Sequence, residues 1–484
     1  MKNRNFNIAL TTLALGIGTL VFFYRKYKNS KKEPAKANEL REEGNKLFKM
    51  KKYHDAIKIY QETLGHLESN NPERVSVLNN LALTSFILRN DEDSIKYSTA
   101  AFEIDQFNVK AIKRRFESYK RLKQRDEALE DIFLCGLLSK NKKEDAEKYK
   151  NVANEYLNEV VDEKIRKEWD PKKVFPSSVL FDEFFDTFPA LFDQLREKYS
   201  EYDFTELEEL MKNKRYEKIF QLDISVYNKF IIAGIFYIRK MNDKSINLLE
   251  KDDFIYSVLL KEYIKSFDKD YIIPPEFVEL VKNYKNDVSV QYYAALIYSN
   301  IKDENNYKAC IDIALNKPNN SFVYAHKLCA ELKEPVSEDY IDLVTNTIKK
   351  YNDKMDILGI SAELYIHLNQ LDTALSIIEL IKRYYPNDPR TLLFQSLGCE
   401  IKKDKKEAIK YLERAIEIDP KYFKPYLYIG NYLMMNNDSR CKEYYEKGFR
   451  YASNYEEAYS VMQPMVLMDV QSRILSKYPK LMSD

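Results

Sequence analysis

The chain has 484 residues, 45% hydrophobic and 32% charged, with 77 Lys and Arg against 76 Asp and Glu. That balance gives no general attraction to nucleic acid, so any electrostatics that matter are local. Only 10 glycines occur, with no GxxxxGK[ST] and no GxGxxG, which argues against the phosphate-cradling loops of nucleotide enzymes. Cys135, Cys310, Cys329, Cys399 and Cys441 are scattered and lack a CxxC, and His54, His66, His326 and His367 form no HxxxH pair. Neither a metal site nor a disulfide framework has such spacing, so no cofactor is expected and the thiols read as free, in a reducing compartment.

The first element is the uncharged run "FNIALTTLALGIGTLVFFY", Phe6 to Tyr24. As a helix it is roughly 28 Å long, enough for a hydrocarbon core. Bulky "VFFY" runs straight into Arg25, Lys26 and Lys28, which disfavours a cleaved signal peptide. Residues 1–24 therefore read as a membrane anchor with its span at 6–24, and residues 25–36 as a basic tether. Lys2 and Arg4 precede the span, whereas Arg25, Lys26, Lys28, Lys31 and Lys32 follow it. The heavier positive flank stays cytosolic, so the body is expected to face the cytosol.

Internal periodicity organises the rest. "DTALSIIELIKRYYP" and "KEAIKYLERAIEIDP" align with Ala374 over Ala408 and Pro386 over Pro420, an offset of 34. Ala362, Ser396 and Gly430 recur at the same spacing. Small residues at one period mean helices that cross too closely for a large side chain. The pattern resembles the tetratricopeptide repeat (TPR), a pair of antiparallel helices per unit. Near the N-terminus Gly44, Leu47, Tyr53, Ala56 and Tyr60 occupy the same frame, followed by Ala82 and Ser94, then Ala128. The step from Gly44 to Ala82 is 38, which places an insertion in the loop "ESNNPE". Phe116 stands where the third unit calls for a small residue.

Residues 37–140 thus read as a three-repeat domain. Residues 141–170 are charged and helical in pattern, a linker ended by Pro171 and Pro176. Residues 171–484 read as a second array, degenerate at Gly234/Tyr237 and Ala295/Tyr298 and clear from about 355 to 450. The fold class is all-α: a TPR superhelix in two arrays after one N-terminal transmembrane helix.

The repeat frame gives the charges a meaning. Arg41 and Asn45 are four apart on the first helix of unit one, Asn80 lies on the first helix of unit two, and Lys110 and Arg114 are four apart on that of unit three. First helices line the inner surface of a TPR superhelix, so these five side chains converge on one groove. Cations and amide donors so placed suit two carboxylates at a fixed separation, as on a chain that ends in Asp. Lys113 and Arg115 fall off the shared face and read as solvated. The set resembles the dicarboxylate clamp of TPR co-chaperones, which holds the C-terminal EEVD of heat-shock chaperones. That family usually has Lys where Arg41 stands, and the two cations are not equivalent at a tight site.

Anchor, tether, clamp repeats, linker and second array, in this order, resemble the large TPR import receptors of the mitochondrial outer-membrane translocase (TOM complex). "EEGNKLFKMKKYHDAIKIY", "VKAIKRRFESYKRL" and "FPSSVLFDEFFDTF" carry the likeness. The resemblance implies a single-pass receptor on the outer membrane of a mitochondrion or related organelle. Its partners would be cytosolic chaperones ending in EEVD, hydrophobic mitochondrial precursors and other translocase subunits. It also implies a precursor-binding C-terminal array, for which no local motif identifies residues. A membrane-anchored TPR co-chaperone or scaffold elsewhere, as on the endoplasmic reticulum, would share the clamp. Catalysis is not expected: residues 171–285 hold no histidine, and Asp182, Glu183 and Asp186 beside Phe184 and Phe185 read as a mixed helix face.

Overall fold

A computed structural model describes residues 36–68, 71–139, 143–170, 173–225, 228–333 and 335–479. The expected span at 6–24 lies outside the described residues. Among the described residues no helix is long and apolar enough to cross a membrane, and every regular element is a helix.

The chain forms two compact units, one comprising the described residues up to Glu163 and from Gln463 onward, the other Lys164–Met462. In the first unit α1 (residues 36–49) pairs with α2 (Tyr53–Gly65), α3 (Glu73–Ile87) with α4 (Asp91–Ile104), and α5 (Val109–Arg121) with α6 (Arg125–Leu138). The long α7 (Lys143–Glu168) follows. Turns within these pairs are closed without glycine. Lys51, Arg89 and Lys123 take the left-handed conformation at φ 60°, 62° and 58°, and the next helix is capped by a side chain where Asn90 accepts from the Asp93 amide. Non-glycine residues reach that conformation at a cost of about 1 kcal/mol, so a chain this poor in glycine can still turn at every repeat.

Small residues set the helix spacing. A Cβ on Gly44 would lie 2.5 Å from the ring of Tyr60, and one on Gly430 2.5 Å from that of Tyr445. Ala56, Ala82 and Ala128 are fully buried. Phe116, large where a small residue was expected, is buried too and meets Tyr156 of α7 edge-on, with ring centroids 5.6 Å apart. The 141–170 segment is therefore more than a linker. Its helix buries Tyr156, Leu157, Val160 and Val161. The boundary between units falls at Glu163/Lys164 rather than at 170/171, and residues from Gln463 onward belong with the first unit instead of the second array.

Arg115 also departs from expectation. It is 5% exposed, not solvated. Its Nε and Nη2 donate to Asp131 Oδ2 and Oδ1 at 2.8 and 2.6 Å, and Nη1 donates to Thr99 Oγ1 at 3.1 Å. Burial opposes its charge, but the Asp131 carboxylate more than offsets that and raises the guanidinium pKa. Beside Asp131, buried Glu130 accepts from Lys477 Nζ at 3.0 and 2.9 Å. Arg473 lies 3.7 Å from the same carboxylate.

The second unit runs through α8 (Ser178–Phe185), α9 (Leu191–Lys198), α10 (Thr205–Lys212), α11 (Tyr216–Gln221), α12 (Lys229–Ile238) and α13 (Asn242–Leu249). It continues with α14 (Ile255–Lys265), α15 (Pro275–Asn283), α16 (Val288–Asn300), α17 (Glu304–Leu315), α18 (Ser321–Glu331) and α19 (Glu338–Lys350). Then come α20 (Met355–His367), α21 (Leu371–Tyr384), α22 (Pro389–Ile401), α23 (Lys405–Ile418), α24 (Phe423–Met435) and α25 (Cys441–Tyr451). The last helix, α26 (Tyr455–Lys477), starts in this unit, and from Gln463 on it belongs to the first. Gly234 admits the edge of Phe184, whose ring would lie 2.6 Å from a Cβ there. Around that contact Phe181, Phe188, Phe230, Phe254, Tyr256 and Tyr293 form an aromatic core.

Asp131→Ala should lower the stability of the first unit by roughly 3–5 kcal/mol, because it strands a buried guanidinium. Arg115→Met combined with Asp131→Leu should recover most of the loss. Urea unfolding followed by circular dichroism measures both, and equal losses would show that packing, not charge, dominates there.

Candidate functional site

The five residues singled out in the first unit all lie on first helices of pairs: Arg41 and Asn45 on α1, Asn80 on α3, Lys110 and Arg114 on α5. Hydrogen bonds tie those helices together, two of them at these positions and another from Arg121 Nη2 to the Phe86 carbonyl at 2.9 Å further along α5 and α3. Asn80 Nδ2 donates to Asn45 Oδ1 at 3.0 Å, and Arg114 Nη1 donates to the Asn79 carbonyl at 2.8 Å. The structure thus brings Asn45, Asn80 and Arg114 into one row. Arg41 and Lys110 stand one helical turn before Asn45 and Arg114 on their own helices.

The row is held from behind. Tyr60 OH donates to Asn45 Oδ1 at 2.9 Å. Burial, with the nearby Glu42 charge second, pushes that phenol up to about 12, so it stays a donor. Asn45 then points its amide nitrogen toward Glu42, 3.3 Å away, and Arg41 Nη2 lies 3.7 Å from the same carboxylate oxygen. Glu42 and Tyr60 escaped the sequence reading as site neighbours. The signal was present for Glu42, one turn before Asn45 on the same helix.

Arg114 is the electrostatically distinctive member. It is half-buried, and burial lowers its pKa. Among the described residues its side chain donates to a carbonyl and meets no carboxylate. Lys110 and Lys113 are exposed. A half-desolvated guanidinium beside amide donors can take a carboxylate in a charge-assisted bond.

A second charged constellation lies in the second unit. Lys214 Nζ sits 2.6 Å from Asp182 Oδ2 and 3.4 Å from Asp388 Oδ2. Tyr216 OH donates to Asp182 Oδ1 at 2.7 Å. Arg390 Nε and Nη2 hold Asp388 at 3.0 and 2.9 Å, and Nη1 lies 3.9 Å from Glu183 Oε1. Burial works against the Asp388 charge, but Arg390 and Lys214 keep its carboxyl below the usual range. Glu183 and Asp186 reach solvent yet are hemmed in by protein. Burial pushes both carboxyls up, with Asp182 adding to the effect on Asp186, which reaches about 6. Among the described residues no group of His, Cys, Asp and Glu could hold a metal ion.

Comparison with known proteins places the repeat directly: the tetratricopeptide repeat family matches residues 399–422. Peptidyl-prolyl cis-trans isomerase CYP7 of Saccharomyces cerevisiae is 32% identical over 145 residues, 26% of this chain and 36% of that protein. DnaJ homolog subfamily C member 7 of Mus musculus is 34% identical over 91 residues, 19% of this chain and 18% of that protein. The chain thus spans well under half the length of either relative. A crystal structure of yeast Tom70 is similar over 92% of this chain and 98% of that one, at 19% identity and a TM-score of 0.48.

The raised Asp186 carboxyl has a consequence for stability. Its folded value of about 6 exceeds the ordinary aspartate value of about 3.9, so the native state holds the proton better than the unfolded chain. Its contribution is present below about pH 4 and is lost as pH rises through about 6. Asp186→Asn should therefore raise the thermal midpoint at pH 7 and flatten its dependence across that window. Melting curves at pH 4 and pH 7 check this; a variant less stable at pH 7 would show that Asp186 makes a favourable contact there.

Proposed function

We propose that this all-α tetratricopeptide-repeat protein is a membrane-anchored receptor, acting by binding rather than catalysis. In this reading the groove of its first unit docks cytosolic heat-shock chaperones by their C-terminal EEVD. Its site is Arg41, Asn45, Asn80, Lys110 and Arg114. The observation that carries the reading is Arg114, a half-buried guanidinium without a carboxylate partner among the described residues, joined through α3 to a row of amides. An incoming pair of carboxylates would take Arg114 and Lys110 at one end. At the other it would take the donors on which Glu42 now leans. That two relatives the chain matches in part are a prolyl isomerase and a DnaJ homologue supports a place among proteins that handle other proteins.

The finer part of the proposal concerns location and cargo. The charge-flanked run at 6–24 supports a single-pass anchor with the body in the cytosol. The order of segments supports the outer membrane of a mitochondrion or related organelle. There the second unit would accept hydrophobic precursor proteins and pass them to other translocase subunits. Superhelical arrays offer concave surfaces to extended ligands.

Arg114→Ala should weaken binding of an EEVD-ended peptide about tenfold or more, since a charged hydrogen bond contributes roughly 1.5–3 kcal/mol. Lys113→Ala, on an exposed position of the same helix, should change affinity little. Amidating the peptide's C-terminus should mimic the Arg114 loss by deleting one carboxylate. Fluorescence anisotropy with a labelled peptide reads all three, and equal losses from Arg114→Ala and Lys113→Ala would reduce the site to a diffuse basic patch.

The location has its own test. Protease added to intact organelles should strip the repeat body, and deletion of residues 1–36 should release it from the membrane. Protection of the body would overturn the topology.

A further inference from the structure

The apolar core of the second unit is split. One cluster of buried residues runs from Phe181 to Val323, and a separate one from Ala325 to Leu397. Both draw on α18, which gives Phe322 and Val323 to the first and Ala325 and Leu328 to the second. A solvent-open recess of about 860 Å³ lies at the same place, between α17 and α18, lined by Tyr307, Ile311, Leu315, Lys327 and Ala330 among others. The apolar core of this unit is therefore interrupted at α18.

The two bodies meet again far from α18, where the beginning of the unit touches its last repeats. The hydrogen bonds and ion pairs there are polar, and one buried aromatic, Tyr422, lies beside Glu183 and Arg390. Asp419 Oδ2 accepts from Ser177 Oγ, Ser178 Oγ and the Ser178 amide at 2.7, 2.9 and 3.0 Å. Lys214 bridges to Asp388, Arg390 reaches Glu183, and Lys421 pairs with Glu217. Lys421 also lies over the ring of Phe175, 5.1 Å from its centroid. Against these attractions Asp356 of the second body faces Asp186 of the first, like charge against like. By contrast α8 is keyed into the first body by Phe184 over Gly234, and the segment after it by Phe188, stacked on Tyr293 with centroids 4.9 Å apart.

We propose that the second unit is a hinged clasp: the two apolar bodies swing about α18, and the polar seam from α8 and Lys214 to Asp388, Arg390, Asp419 and Lys421 holds them closed. Each body keeps its own core during the motion, so opening exposes charged and hydroxyl groups that water can solvate. Seams of this kind yield more readily than packed apolar ones, because partly exposed ion pairs contribute little and salt screens them. A hinge with discrete packed bodies on either side is a known route to domain opening.

The test is a distance distribution on the full-length chain, by paramagnetic spin labels at exposed Lys251→Cys and Lys382→Cys, one within the span of each body. Cys329 and Cys399 are first replaced by serine. A control pair at Lys251→Cys and Lys285→Cys lies within the first body. Lys214→Ala with Arg390→Ala should raise a longer inter-body distance to about a tenth or more of the molecules, from a minor population of roughly a hundredth. Lys421→Ala, a milder break at a half-exposed site, should act in the same direction. Raising salt from roughly 0.05 to 1 M should do so in the unmodified seam. The control pair should not move. An inter-body distribution unchanged by both variants and by salt would overturn the clasp. Equal broadening of the control pair would overturn it too, by showing that the seam is part of one continuous core.

Discussion

The edge of the Tyr60 ring fills the space where a Cβ on Gly44 would stand, and that contact fixes how closely α1 and α2 approach. The same tyrosine donates its hydroxyl proton to Asn45, the residue after the glycine. Helix spacing and the orientation of a groove amide are therefore set by one side chain. The device recurs near the other end of the chain. Tyr445 packs on Gly430 and donates to Asn431 at 2.8 Å. In the last repeat no Asn80 counterpart is recorded on Asn431, and Leu427 stands one turn earlier, where α1 has Arg41. The Gly-Asn-Tyr contact thus recurs in the repeat, and in the first unit Arg41 on α1 adds charge beside it.

Much of this was legible from spacing alone. Ala56, Ala82, Ala128, Ala362, Ala374 and Ala408 are all fully buried, because a period of 34 leaves the crossing points nowhere else to fall. The row from Asn45 to Arg114 was legible for the same reason, since first helices of successive pairs present the same face. What spacing could not show was closure. Arg115 reads as a surface cation until Asp131 comes back against it from α6, and nothing in the spacing pairs Glu130 with Lys477 of the chain's last helix. Phe116 breaks the small-residue rule only if α7 is taken as a linker; Tyr156 of α7 is what receives it.

The second unit shows the same limit on a longer scale. Asp182, Glu183 and Asp186 are one mixed helix face in the sequence. Their partners lie on Lys214 and, some two hundred residues on, at Asp388 and Arg390. A periodic pattern states which residues turn inward locally. It is silent on which part of a superhelix meets another after a full turn, because that depends on small rotations accumulated over many pairs. Apolar residues tolerate that uncertainty, since any apolar surface will pack. Charged ones do not, because each needs a partner at bonding distance.

Arg114 and Arg115 bring the two effects to adjacent residues. One step along an α-helix turns the side chain by about 100°. Arg115 turns toward α6 and Thr99, where a bidentate carboxylate neutralises it and fixes α5 against its neighbours. Arg114 turns toward α3, where a carbonyl holds it in place but leaves its charge unmatched. A lysine at the first position would lose the planar fork that lets one side chain grip both Asp131 oxygens and still reach Thr99. A carboxylate near the second would neutralise a half-buried cation that has no carboxylate partner among the described residues. The basic run "VKAIKRR" is therefore not a single patch: one arginine is spent inside the fold so that the other is held still at its surface, with charge to offer.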